Sequence, residues 1–454
     1  MHDLQSLRRA AREIFFEALS KVDAGDAVRR ALSLRGSRLR IADAEFDVHD
    51  GQTKIYSVAV GKAALPMALA LEERLGERLE GGVISAPPSQ ISMPARWRIY
   101  AGGHPLPNLA SMEAARAAFD LLREADDDST LVIFLVSGGG SAMLEWPRDE
   151  RLTLEDLRET NRVLVTCGAR IGEVNAVRRA LSAVKGGGLS AAAPRAAQFT
   201  LLVSDTGAGR ERDVASGPTF TRADADADPS VADIIERYGL AARLPSSIVR
   251  ALKEGESSRL EMARADGALR KHFVLLDNES AREAAAEAAR VRGFQTEVAH
   301  DLEEQPVEEG AAESVARLLE LRRRAGAGSA GVCMVSGGEF ACPVRGAGVG
   351  GRNAETALRC AFEFEDQASD DTREAWPRNL LTLCAGTDGV DGNSPAAGAL
   401  ADHTTVRRAR DGGLDPRKHL EESDAYTLFD YLGDAVVNGP TGTNVRDLRI
   451  MLAG

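Results

Sequence analysis

The residues that could do chemistry stand beside glycines, directly after apolar runs. The run 131–136 leads into SGGGSAM (137–143), 331–335 into SGGEF (336–340), and 380–385 into GTDGVDGNSPAAGA (386–399). Glycines at strand ends let backbone amides approach an anion, and a following helix adds its positive end. Charged side chains accompany them: Lys62 after the run 55–60, Asp205 in VSDTG, Glu339 in SGGE, Arg352 and Asn353 after a glycine-rich stretch, and Asp388 and Asp391 in TDGVDG. Phosphoryl transfer needs cations on the moving phosphate, carboxylates for Mg2+, and a base near the acceptor hydroxyl. This inventory meets that need. The backbone of Ser137, Gly138, Gly139, Gly140 and Ser141 is the candidate anion cradle. Asn175, Arg178 and Lys185 lie three or four residues apart, or multiples of that, in an expected helix 174–189, so they could share a face and grip a carboxylate or phosphate. Each residue also has a plain alternative: Asp205 as a helix cap, Arg352 as a surface cation, Asp391 as a turn residue.

Known signatures narrow the chemistry. GxxxxGK[ST] is absent, because the only Gly-Lys pair, Gly61-Lys62, is followed by Ala63. The hydrolase pattern GxSxG fails at Met143, and protein-kinase motifs are missing. One GxGxxG occurs (Gly346, Gly348, Gly351), late in the chain after an expected short strand 340–345, so it reads as a phosphate or substrate loop rather than a dinucleotide fingerprint. The chain holds 49 arginines and only seven lysines, which draws attention to Lys62 and Lys185 beside their glycines.

The chemistry must be positioned by a soluble α/β scaffold. The 454 residues are 44% hydrophobic and carry a formal net charge of −13, which excludes a general nucleic-acid binder and leaves room for a local anion pocket. No apolar run approaches a bilayer span, and no membrane partner is expected. Residues 3–20 have mixed charge at helical spacing and lack the apolar core of a signal peptide. Five scattered cysteines without a CxxC pair read as reduced thiols of a cytoplasmic protein, and seven histidines show no zinc spacing.

Strand-like runs alternate with helical patterns, which predicts parallel sheets covered by helices. Strands are expected at 55–60, 82–85, 98–101, 131–136 and 199–203, with helices at 63–79, 110–124, 153–166, 171–184 and 231–253. The acidic stretch 221–230 reads as a surface loop. The polar stretch 254–270 marks a domain boundary, after which the α/β rhythm restarts. The expectation is two α/β domains, an N-terminal Rossmann-like domain over 1–255 and a smaller C-terminal one over 256–454.

Taken together the motifs resemble those of the glycerate 2-kinase family, glycerate kinases with a C-terminal MOFRL domain that were formerly called hydroxypyruvate reductases. The matching pieces are VGKA (60–63), GGHPLPN (102–108), SGGGSA (137–142), NAVRRALSAVKGGGLS (175–190), VSD (203–205), ASGPT (215–219), SGGE (336–339), the GGRN that ends at Asn353, GTDGVDG (386–392) and TGTNVRDL (441–448). They span nearly the whole chain in order. The resemblance implies an active site in a cleft between the domains, ATP as co-substrate, Mg2+ as cofactor and D-glycerate as acceptor, with the 2-hydroxyl phosphorylated. It places Lys62, Asp205, Glu339 and Arg352 in the active site. On that reading Lys62 and Arg352 neutralise the phosphoryl group, Asp205 orients or deprotonates the hydroxyl or holds Mg2+, and Asp388 and Glu339 are candidates for positioning the metal or the nucleotide. Two departures stand out: Thr206-Gly207-Ala208-Gly209 replaces the family's glycine-aspartate pair after VSD, and Ala354 replaces a glutamine after GGRN. Two rival functions remain at this level, an NAD(P)H-dependent hydroxypyruvate reductase and a catalytically lapsed sugar-acid binding protein.

Overall fold

The apolar run LVIFLV becomes the strand Thr130–Ser137, buried along its whole length. Continuous apolar character is what a strand covered on both faces requires. Parallel neighbours flank it, Lys54–Val60 on one side and Ala197–Val203 on the other. Leu79–Ala86 and Trp97–Ala101 extend the parallel sheet beyond Lys54–Val60, and Arg270–Leu276 is the far edge strand beside Ala197–Val203. Numbered along the chain, the strand order is 3-2-1-4-5-6, that of a dinucleotide-fold sheet. The helix Leu109–Glu124 packs a row of alanines and leucines against Val58, Val60, Val83 and Phe134. Asn108 and Ser111 form a capping box at its start, a device that contributes about 1 kcal/mol.

The computed structural model describes residues 3–49, 52–221, 229–258, 268–326, 331–368 and 379–454. Most of the expected loop 221–230 and of the boundary stretch 254–270 therefore falls outside the described residues. Among the described residues no helix is long and apolar enough to cross a membrane.

The chain divides into two compact units, 24–275 and a second made of 1–23 with 276–454. This differs from the expected contiguous split at 255. The N-terminal helix Leu4–Lys21 buries Leu7, Ile14 and Phe15 against elements of the second unit, and Arg8 is held there by Asp402 and Asp434. The hydrophobic periodicity of 4–21 says that the helix must bury one face, and nothing local says against what.

The second unit has a six-stranded sheet in the order Gln295–Ala299, Val332–Ser336, Asp447–Ala453, Leu380–Gly386, Gly398–Asp402, Ala435–Val436. Only the first pair is parallel; the remaining four pairs are antiparallel. Strand–helix alternation predicts a parallel sheet here too. The C-terminal strand overturns it by inserting antiparallel between Val332–Ser336 and Leu380–Gly386.

Other elements differ from expectation. A three-stranded antiparallel sheet, Leu32–Arg35, Arg38–Ile41 and Ala44–Asp47, occupies a stretch where no strands are expected. The expected helix 231–253 is broken into Val231–Arg237, Leu240–Ala242 and Ser246–Ser258, with Gly239 left-handed at the first break. Residues 340–345 form no strand, and Ala341 makes only an isolated bridge to Pro306.

Candidate functional site

The strand order of the 24–275 unit reverses between Lys54–Val60 and Thr130–Ser137. Ligands of open α/β sheets bind beyond the carboxyl ends of the strands at such a reversal. Lys62 and the 137–141 loop lie at this point. The two strand ends are laced together: the Lys62 amide donates to the Gly138 carbonyl at 2.8 Å and the Ala63 amide to Ser137 Oγ at 3.0 Å. Gly61 has a φ of 113°, and a Cβ there would collide with the Ser137 carbonyl, so the crossing requires glycine. Ser137 Oγ and the Gly138 carbonyl are thus used in building the loop. Gly139, left-handed at φ 80°, faces the Lys62 stem and the His104 ring, at 3.2 and 3.1 Å from where its Cβ would stand. His104, an exposed residue of GGHPLPN, therefore joins the predicted pair.

Ser141 opens onto a buried polar network. Its hydroxyl meets Ser216 Oγ at 2.7 Å; Ser216 Oγ donates to Asn175 Oδ1 at 3.0 Å, and Asn175 Nδ2 donates to Asp213 Oδ1 at 3.1 Å. Arg179 reaches the same Asp213 oxygen at 3.3 Å. Ala215 and Ser216 are non-glycine residues at φ 51° and 60°. Such backbone costs about 1–3 kcal/mol per residue and persists only where the surroundings over-determine it. Here the Gly186 amide bonds the Ser216 carbonyl at 3.1 Å and the Gly187 amide the Gly217 carbonyl at 2.8 Å.

Asn175 and Arg178 do share a helix, but it spans only Ile171–Leu181. Ser182 turns extended, so Lys185 stands in the following turn rather than on the expected helical ridge. It is fully buried and ion-paired with Glu145, a residue that no pattern flagged. Burial pulls the Lys185 ammonium below its ordinary range, and Glu145 opposes that pull. Arg178 is half-buried, its Nε donating to Asn161 Oδ1 at 2.9 Å, and burial lowers its value against the attraction of Glu145. Two cations with one carboxylate leave this corner net positive. Asp205 is half-buried two residues past Val203, the residue paired with Ser137, and so lies at the same sheet edge.

The second unit treats charge differently. Arg352 begins the helix Arg352–Ala368; its Nε donates to Asp447 Oδ2 at 2.6 Å and its Nη2 lies 2.8 Å from Glu339 Oε1. Burial alone would lower its value, but Asp447 and Glu339 raise it above the ordinary arginine range. Asp447 is buried; burial would raise its carboxyl, and Arg352 holds it down. The first amides of the helix are taken by the chain itself: those of Asn353 and Ala354 donate to the two oxygens of Asp391, each at 2.9 Å. Asp391 is buried, which pushes its carboxyl up to about 7 despite those bonds. Asp391 is a helix cap, and Arg352 is a clasp between two carboxylates. Asp388 is half-buried in the turn before it, its Oδ1 accepting the Val390 amide at 3.0 Å. The GxGxxG trio does not follow a strand. Gly346 and Gly348 press on residues 422–424 and Gly351 on Asp391, which explains the glycines without a dinucleotide. Asp447 lies in the TGTNVRDL motif, so the sequence carries a signal for it; for Glu145 and Asn161 it carries none. Among the described residues no group of three or more His, Cys, Asp or Glu could hold a metal ion.

Comparison with known proteins places this arrangement. A family model described as a domain of unknown function, DUF4147, matches residues 10–253, and the MOFRL family model matches 332–447. The chain is 30% identical to the glycerate 2-kinase of Pyrococcus horikoshii over 98% of its own length and 97% of the relative's. The chain belongs to the glycerate 2-kinase family. It is likewise similar to the crystal structure of a glycerate kinase from Thermotoga maritima, with a TM-score of 0.79 at 28% identity, covering 99% of this chain and 100% of that one. A relative from Agrobacterium vitis, 34% identical over 87% of this chain and 86% of its own length, bears the name putative hydroxypyruvate reductase. The glycerate 2-kinase family's two signature regions thus fall one in each unit, DUF4147 almost wholly within 24–275 and MOFRL within the second.

Proposed function

We propose that this glycerate 2-kinase family member transfers the γ-phosphoryl group of ATP to the 2-hydroxyl of D-glycerate, giving 2-phosphoglycerate. The observation that carries the reading is the lacing of Lys62 to the SGGGS loop at the sheet's reversal, in a chain related over nearly its full length to glycerate kinases. Lys62 is the cation for the transferring phosphoryl group. Arg178 is the grip for the glycerate carboxylate, since Asn161 holds only its Nε and a planar guanidinium binds a carboxylate in bidentate fashion. Lys185 supplies field rather than contact, because Glu145 holds its ammonium. Asp205 orients the hydroxyl or takes its proton. Catalysis of this kind is mostly positioning and electrostatic stabilisation.

The donor chemistry fits a Mg2+ that arrives with the nucleotide. Such an ion keeps several waters and needs one or two carboxylates besides the phosphates. Within the 24–275 unit, Asp205, a half-buried carboxylate just past a strand end, is the side chain that would hold it. When bound, the ion would offset negative charge on the phosphates.

Two assays test the proposal. ADP release is measured with ATP, Mg2+ and D-glycerate, and NADH oxidation with hydroxypyruvate. Phosphorus NMR of the product then separates 2- from 3-phosphoglycerate. Turnover only in the NADH assay would replace the kinase reading by a reductase. Glycerate binding without turnover in either would leave a sugar-acid binding protein. The first βα turn, Gly61-Lys62-Ala63, lacks the second and third glycines of a dinucleotide fingerprint, which favours the kinase.

A further inference from the structure

The N-terminal helix Leu4–Lys21 has a second face. With Leu7, Ile14 and Phe15 buried on one side, Arg9, Arg12 and Phe16 fall on the other, at helical spacing. Together with Arg8 and Arg292 they line an open groove of about 710 Å³ in the second unit. Four guanidinium groups in one groove invite a count of their counter-charges. Arg8 is held by Asp402 and Asp434. Arg292 reaches Glu13 at 3.3 Å and Glu17 at 2.9 Å. Arg9, largely exposed, lies 3.9 Å from Glu13. Arg12 alone has no hydrogen bond or ion pair among the described residues, although it is half-buried. Burial and the neighbouring Arg8 charge both work against its charged form. A partly desolvated cation without a partner is an unfavourable arrangement that an anion from solution would relieve. Phe16, one turn further on, is 43% exposed and gives the groove an apolar wall.

We propose that this groove binds a small organic oxyanion, a carboxylate or phosphate ester with an apolar portion, gripped by the Arg12 fork and resting on Phe16. The proposal does not depend on the reaction assigned above. Its test is thermal unfolding of the full chain as a function of inorganic phosphate and, separately, of succinate, at constant ionic strength. Wild type and Arg12→Gln are compared, with Arg243→Gln, at an exposed arginine of the 24–275 unit, as the charge control. A ligand that binds only the folded state raises Tm in a saturable way. The expected result is a saturable rise in wild type and in Arg243→Gln with at least one of the two anions, and at least a tenfold weaker apparent affinity in Arg12→Gln. A response to phosphate alone identifies a phosphate ester, and one to succinate alone a carboxylate. Ligand-free Arg12→Gln is expected to melt no lower than wild type, because the substitution removes an uncompensated charge beside Arg8. The same titration curve in wild type and Arg12→Gln, or no saturable response to either anion, overturns the proposal. A marked loss of stability in ligand-free Arg12→Gln also overturns it, by showing that Arg12 serves the fold.

Discussion

Lys62 and Arg352 both follow glycine-rich loops at strand ends, and both read as phosphate ligands in the sequence. Lys62 sits at the reversal of a parallel sheet, its backbone tied to Gly138 and its stem against Gly139. Arg352 sits between Asp447 and Glu339, and the helix it begins spends its first amides on Asp391. The 24–275 unit keeps excess positive charge around Lys185 and Arg178, whereas the second unit surrounds its arginine with carboxylates. A glycine loop plus a cation therefore does not by itself define an anion site. What matters is whether the fold supplies the counter-charge internally.

That contrast is broken most severely at Glu145. Glu145→Gln leaves the Lys185 ammonium buried without its carboxylate, and removing one partner of a buried pair costs about 3–5 kcal/mol. Urea denaturation should show a loss of that size; an unchanged midpoint would mean that Lys185 is neutral in the folded protein. Lys62→Ala attacks the other side of the comparison. With ATP and glycerate, kcat should fall by about two to three powers of ten, the usual effect of losing one preorganised electrostatic contact, while the melting curve stays close to wild type. Normal turnover would remove Lys62 from the chemistry.

Arg352→Lys sharpens the difference between a ligand grip and an internal clasp. One ammonium cannot reproduce the guanidinium's paired contacts to Asp447 together with Glu339. Stability should fall by about 2 kcal/mol, the scale of a hydrogen bond to a charged group, in urea titrations without any ligand. A variant with full stability but depressed kcat would return Arg352 to the role of phosphate ligand.

The remaining effect is one of pH. Asp391 titrates at about 7 in the fold, above the ordinary carboxylate value. The folded state then binds more protons than the unfolded one between roughly pH 4 and 7, so this group's contribution is present at the acid end and lost as pH rises. Relative to Asp391→Asn, wild type should lose stability across that window. Parallel stability–pH curves for the two proteins would show that Asp391 is an ordinary ionised cap.

Much of this molecule is legible in its residues alone. Runs such as LVIFLV determine buried strands, because only apolar side chains tolerate both faces of a covered sheet. Gly61 determines a tight crossing, because its backbone conformation and the nearness of Ser137 exclude a side chain. The motif order is enough to indicate the family. Partners are another matter. Glu145 is 40 residues from Lys185, and Asp447 is 95 from Arg352. Residue type says that a buried charge needs a partner, and local sequence does not say which. The same holds for whole elements. Helix periodicity in 4–21 requires a buried face, while only long-range packing assigns it to the unit 276–454. Apolar character in 447–453 requires a strand, while only the assembled sheet puts it antiparallel in the middle. Backbone sterics and solvation act residue by residue and are written in the sequence; the pairing of charges and the stacking of faces depend on which distant segments the chain brings together.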